Sequence, residues 1–305
     1  MIGVTSVAAA AAEHQRARPG EREPVAAYRA YFFGPFRVYR EAQILGQRQQ
    51  RRERALLLLK WFLLNPGTPG SMDQLIDIGW PDAAPEKAAS GFHVAMHCLR
   101  RLLEPELRPG QKSSFIVRSG TGFYRFEPTE NWWTDAQEVG RFFRWARDSD
   151  TRGDARRACF YYSRVTAYAI RPFLEEEEPH RPWLVPHRRR YEGLHSQALI
   201  RLIQIHEALG ELDEALEYAY QLLRLDPYSE LATTVVIEAL LRLGRPDHAR
   251  RQLYRFLQSI EQDLGASASS NLLTLRDRIT HSPRADAVLG PSIRRADRHP
   301  PGPAR

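Results

Sequence analysis

The sequence predicts a mainly α-helical protein with a small β component, arranged in two parts. Three observations carry this. The stretch from Tyr28 to Pro128 reads as short aromatic β-type runs, then three helical periods, then two more β-type runs. The next stretch repeats itself at an interval of 34 residues. Charge divides along the same line. Tyr28–Pro128 holds 15 Lys/Arg against 9 Asp/Glu, a net of +6, whereas Thr129–Thr280 holds 21 against 23, a net of −2. Most of the chain's overall +7 thus sits in the first part, which suits a polyanionic partner for that part and a protein partner for the other.

Met1–Ala27 shows no sustained apolar period and is expected to be a flexible tail. Tyr31-Phe32-Phe33-Gly34-Pro35-Phe36-Arg37-Val38-Tyr39 is aromatic and broken by Gly-Pro, which predicts two short strands around a turn. Arg48–Leu64 predicts a helix with a basic start at Arg48, Arg51, Arg52 and Arg54. Its inward residues are Leu56, Leu59, Phe62 and Leu63, and Asn65-Pro66-Gly67 stops it. Ser71 is the expected N-cap of a short second helix with Leu75, Ile76 and Ile78 inward, broken at Gly79-Trp80-Pro81-Asp82. Glu86–Leu103 predicts the third helix. Phe92, Met96, Leu99 and Leu103 share one side, and Ser90, His93, His97, Arg100 and Arg101 the other. Phe115–Arg118 and Phe123–Phe126, around Ser119-Gly120-Thr121-Gly122, predict a hairpin.

Strands, three helices and a hairpin are the order of a winged helix-turn-helix. That geometry sends Glu86–Leu103 into a major groove and makes the hairpin a wing. Ser90, His93, His97 and Arg100 then face bases or phosphates. Arg101, Arg118 and Arg125 are candidates for phosphate pairing, and Thr121 for donating to a phosphate. The competing reading is a solvated polar face. His93 and His97 have the i, i+4 spacing of metal ligands, but Cys98 points away and no third ligand is evident, so no metal is expected. Glu175–Glu178 with His180 is expected to be a solvated charged loop.

In the second part, Leu209-Gly210 and Leu243-Gly244 lie one repeat apart. So do Asp213 and Asp247, Ala215 and Ala249, Tyr220 and Tyr254, and Leu223 and Leu257. That period, with small residues at fixed offsets, is the tetratricopeptide pattern of stacked helix pairs: a helical solenoid. Phe142, Trp145, Gly153, Ala158, Tyr162 and Val165 take the same offsets in a weaker earlier unit. A last helix is expected at about Asn271–Ile279, and Ser282–Arg305 as a basic tail. The predicted layout is therefore 1–27 tail, 28–128 winged helix, 129–280 helical repeat domain and 281–305 tail.

Two cysteines, Cys98 and Cys159, are too few for a disulfide framework and suit a reducing compartment, so a cytoplasmic protein is expected. No apolar run is long enough to span a bilayer. No phosphate-binding loop, Gly-x-Ser-x-Gly elbow or Cys-x-x-Cys pair is present. The expectation is a non-enzyme without a cofactor.

The same residues resemble a known family. Gly34-Pro35-Phe36-Arg37-Val38, Leu75-Ile76 leading to Trp80-Pro81-Asp82, His93–Pro105 and Gly122-Phe123-Tyr124-Arg125-Phe126 look like the OmpR-like DNA-binding domain of SARP-like regulators, the Streptomyces antibiotic regulatory proteins and their relatives. Trp183-Leu184, Leu209-Gly210-Glu211, Ala215-Leu216, Gly244-Arg245 and Glu261-Gln262-Asp263-Leu264-Gly265 look like their bacterial transcriptional activator domain. The resemblance covers about Tyr28–Ile279. It implies a transcription activator that binds direct repeats in double-stranded promoter DNA as a dimer or higher assembly and recruits RNA polymerase. It also implies that the Gly79–Pro85 connection, with Trp80 and Asp82, touches polymerase. Only 27 residues precede Tyr28, so a receiver domain and direct phosphorylation are not expected. The chain departs from the family pattern at His97-Cys98, where two arginines are frequent, and at Ser119, where arginine is frequent. Those departures sustain an alternative: a protein-interaction adaptor whose winged helix no longer binds DNA.

Overall fold

The structure is a computed structural model, and it describes residues 26–46, 53–127, 130–265 and 267–280. The expected tails, apart from residues 26 and 27, and the basic start Arg48, Arg51 and Arg52 of the first helix lie outside the described residues. The chain divides into two compact units, Met1–His195 and Ser196–Arg305. It is mainly helical with small sheets, as the sequence predicts.

The first unit opens with β1 (Tyr28–Tyr31), β2 (Arg37–Arg40) and β3 (Gln43–Ile44), followed by α1 (Glu53–Leu64). Then come β4 (Gly70–Ser71), α2 (Met72–Gly79), α3 (Pro85–Leu103), β5 (Ile116–Arg118) and β6 (Phe123–Phe126). One sheet has the order β3-β2-β1-β7, with β7 (Trp132–Thr134) parallel to β1 and the other pairs antiparallel. The other sheet, β4-β6-β5, is antiparallel and contains the expected hairpin, with Val117 opposite Arg125. The two-residue strands β3 and β4 and the parallel strand β7 are not visible in sequence periodicity, because such short runs carry no alternation to read.

Each helix has a local cause. Ser71 caps α2 by accepting from the Gln74 N–H at 3.1 Å, as expected, and Leu75 and Ile78 turn inward. Pro85 opens α3 one residue before the expected start, in the position where a missing N–H costs nothing. Thr134 caps α4 (Asp135–Thr151) and Asp154 caps α5 (Ala155–Tyr168). These two helices pack together, and α6 (Val185–Leu209) begins in the same unit.

The second unit holds the rest of α6, then α7 (Leu212–Leu225), α8 (Glu230–Arg242), α9 (Pro246–Ser259), a π-helical turn (Ile260–Leu264) and α10 (Ser270–Thr280). The repeat is legible in three dimensions. Gly153, Gly210 and Gly244 each take a left-handed conformation, φ +75, +76 and +69°, at the turn between paired helices. Five residues after each stands a fully buried alanine: Ala158, Ala215 and Ala249. Seven residues before each, Ala146, Ile203 and Ile237 are also fully buried. The core of this unit is formed by Leu199, Ile203, Leu222, Val236, Leu253 and Phe256 with their neighbours.

Candidate nucleic-acid interface

The helix α3 is amphipathic in the expected sense. Ala88, Phe92, Ala95, Met96, Leu99 and Leu103 are buried, and α3 packs on α1 and α2. Lys87, Ser90, His93, Val94, His97 and Arg101 are exposed on the other side. Sequence reasoning selected Ser90, His93, His97 and Arg101 but passed over Val94, which is 56% exposed. Its spacing, four residues after Ser90 and three before His97, was the available signal. Arg100 is half-buried at the flank of this stripe.

The cations differ in availability. Arg101 donates through Nη1 to the Leu107 carbonyl at 2.6 Å, which ties it to the loop after its own helix. Arg125 pairs with Glu127, and its Nε is buried without a partner among the described residues. Arg118 is exposed and lies 5.9 Å from the centroid of the Tyr124 ring. Thr121 is exposed at the hairpin tip, between Gly120 and Gly122, both at positive φ. The Gly122 carbonyl accepts from the Met72 N–H at 2.8 Å, so the wing is pinned to the start of α2.

Several bonds hold α3 in place. The Tyr28 hydroxyl donates to the Leu103 carbonyl at 2.6 Å, joining the helix end to β1. Glu104 accepts from the Ser113 and Ser114 hydroxyls and from the Ser114 N–H at 3.0 Å. Partial burial pushes its carboxyl up, but these hydrogen bonds outweigh that and hold it below its ordinary value. At Gly91 a Cβ would come within 2.7 Å of the Trp80 indole nitrogen, so only glycine lets Trp80 pack on α3. Trp80 is half-buried there, with Phe92 at 6.5 Å and the Arg54 guanidinium at 5.8 Å, whereas Asp82 is exposed. Among the described residues there is no cluster of three or more His, Cys, Asp or Glu side chains that could hold a metal ion.

The run Glu175–Glu178 corrects the sequence reading. It is not simply a solvated loop. Lys60 of α1, 6% exposed, places its ammonium 3.1 Å from Glu176 Oε1 and 2.5 Å from Glu177 Oε1, and 5.1 Å from the Phe36 ring centroid. Glu175 pairs with Arg171, while Glu178 and His180 are exposed. The loop takes its shape from Arg188. Its guanidinium donates to five carbonyls, those of Phe173, Leu174, Glu177, Glu178 and Pro179, at 2.7–3.1 Å. The carboxylates converge because they lie on a loop folded around an arginine, where helical spacing rules do not apply. A second buried tie is Asp135, the first residue of α4. It accepts from the N–H groups of Phe32 at 2.8 Å and Phe33 at 3.1 Å, and burial pushes its carboxyl up to about 7 against those bonds.

Residues 134–280 match the family model of the bacterial transcriptional activator domain. The chain carries a bacterial transcriptional activator domain. The family is one of transcriptional activators, and the match bears out the resemblance of the second part to that domain. Among solved structures, Mycobacterium tuberculosis EmbR in complex with a low-affinity phosphopeptide is similar at TM-score 0.65 and 19% identity. The match covers 83% of this chain and 65% of that one, so this chain spans just under two thirds of EmbR. At that identity the likeness is one of fold. The C-terminal tetratricopeptide domain of a Plasmodium falciparum FK506-binding protein matches at TM-score 0.36 and 12% identity, over 50% of this chain and 93% of that one, and carries no argument. The curated protein sequences give no match. No helix among the described residues is long and apolar enough to cross a membrane.

Proposed function

We propose that this activator-family chain is a cytoplasmic, sequence-specific DNA-binding regulator that reads a promoter through α3 and its wing. The observation that carries the proposal is the exposed stripe Ser90, His93, Val94 and His97, on a helix whose opposite face is fully committed to the core. Side chains at this spacing line one edge of a helix lying in a major groove. His93 and His97 supply donors to base edges or phosphates, and Val94 supplies an apolar contact of the kind that reads a thymine methyl. Arg118 and Thr121 on the wing, with Lys87 and Arg100 beside the stripe, supply backbone contacts. Arg101 and Arg125, held by Leu107 and Glu127, act there only after exchanging those partners.

Binding of direct repeats by a dimer or higher assembly, and recruitment of RNA polymerase through the Gly79–Pro85 connection with exposed Asp82, complete the reading. They rest on the family, as does the assignment of residues 28–128 to DNA and 129–280 to activation. The test is selection of genomic fragments by the purified protein at near-physiological salt, followed by a footprint. A protected direct repeat upstream of a promoter, with affinity that falls steeply with salt, supports the proposal. No enrichment by folded protein overturns it and leaves the adaptor reading.

A further inference from the structure

The second unit has a groove of about 370 Å³ between α7 and α9, of a size that takes a few side chains of a ligand. Leu216 and Tyr220 of α7 form one wall, and Leu240 of α8 is buried at its base. The other wall carries three arginines, Arg245, Arg251 and Arg255, with His248 and Gln252 between them. The three arginines and His248 are exposed, and none makes an ion pair or a side-chain hydrogen bond among the described residues. No carboxylate lines the groove.

The repeat register shows that this charge is not a property of the scaffold. One repeat earlier, the residues at the same positions are Glu211, Glu214, Glu217 and Gln221. The helix-pair architecture therefore accepts either sign there, and the three arginines contribute nothing to the packing that the alanine and glycine positions supply. Like charges grouped along one wall repel one another, which opposes folding unless an anionic ligand offsets it.

We propose that this groove binds an acidic, apolar-anchored peptide segment of a partner protein. Carboxylates of the segment pair with Arg245, Arg251 and Arg255, and an apolar side chain seats on Leu216, Tyr220 and Leu240. The apolar wall favours a peptide over a nucleic acid, whose phosphates have no use for leucine side chains. The groove is independent of the DNA-binding proposal, since it shares no residue with α3 or the wing.

The test uses the full chain and a fluorescein-labelled peptide of alternating Asp, Glu and Leu, with its Asn/Gln counterpart as control. Saturable anisotropy is expected for the acidic peptide and not for the control. The variant Arg251→Glu with Arg255→Glu should weaken it at least tenfold, about 1.4 kcal/mol, with melting no lower than that of the parent chain, because both residues are exposed and the change relieves the repulsion along the wall. Equal binding by the variant, or no binding by the parent chain, overturns the proposal. So does displacement of the peptide by an oligonucleotide that loses affinity in the same variant, which reassigns the groove to nucleic acid. Concentration-dependent self-association that the variant abolishes, without peptide binding, assigns the groove to a second copy instead.

Discussion

Lys60→Met tests whether the acidic loop Glu175–Glu178 holds α1 of the winged helix in place. The substitution keeps a flexible stem in the α1 core and removes the ammonium that Glu176 and Glu177 share. Removing one partner of a buried ion pair costs about 3–5 kcal/mol, because the other charge stays desolvated. Two features lower that here. Glu176 is 44% exposed, so water takes over its share, and Glu177 keeps Arg181 at 3.1 Å. A loss of about 2 kcal/mol is the expected result. Urea unfolding at constant slope measures it. Adding Glu177→Gln removes the stranded charge and should recover about 1 kcal/mol, a coupling that a double-mutant cycle reads directly. If Lys60→Met unfolds within about 0.5 kcal/mol of the parent chain, or the two changes add independently, the clamp has no energetic role.

Ala215→Phe forces a ring into a fully buried site between helices and should cost about 1–3 kcal/mol; an unaltered melting curve contradicts the repeat register. His195 is buried, and burial lowers its ring from 6.5 to about 4, so the unfolded chain binds the extra proton first. Its contribution is complete above pH 6.5 and is lost as pH falls toward 4, a loss of about 3 kcal/mol that His195→Leu should abolish in a pH series of melts. Asp135 has the opposite sign: its carboxyl is raised to about 7, so the folded chain holds the proton more tightly, and its contribution grows as pH falls from 7 toward 4. Asp135→Asn should remove that rise, and an unchanged pH profile would show that the carboxyl does not titrate in this range. A fragment ending at Glu127 lacks β7, Asp135, Phe173 and the Lys60 partners, and should show weak near-ultraviolet dichroism and poor solubility; a cooperative melt like that of a fragment ending at His195 refutes this.

Much of the fold was legible because it derives from periodicity. The inward face of α3 came from residues three and four apart, the hairpin from two β-rich runs around Gly120 and Gly122, and the helix pairs from the 34-residue recurrence of Gly210 and Ala215 at Gly244 and Ala249. The features that escaped were long-range and polar. Nothing local marks Lys60 as paired with residues more than a hundred positions away, or Asp135 as an acceptor for the end of β1. Val94 was missed for a different reason: selecting polar residues for a DNA face discards the apolar one that can read a methyl group. The basic groove was hidden because its walls belong to separate helices, although the sign change from Glu211 and Glu217 to Arg245 and Arg251 was present in the register throughout.

The two polar ties of the first unit do something that apolar contact there does not. Phe32 and Phe33 meet Phe173 and Tyr191 through stacked and edge-on rings at 5.3–5.6 Å, which favours burial but tolerates sliding. Asp135 does not tolerate it. The N–H groups of Phe32 and Phe33 lie past the end of β1, where the backbone pairs only through the Phe33–Phe173 bridge and these two N–H groups turn to Asp135, and a buried N–H left unpaired costs about 1–3 kcal/mol. Displacing α4 by one residue leaves both without this acceptor, whereas ring contacts would re-form. Lys60 imposes the same condition on the acidic loop, since its ammonium has almost no exposure through which water could replace Glu177. Buried polar pairs are weak evidence for added stability, and here their geometry admits a single register. The helix α3 is tied to β1 through the Tyr28 hydroxyl, and β1 to α4 through Asp135, so the face bearing His93, Val94 and His97 is set in one position relative to the first helical pair.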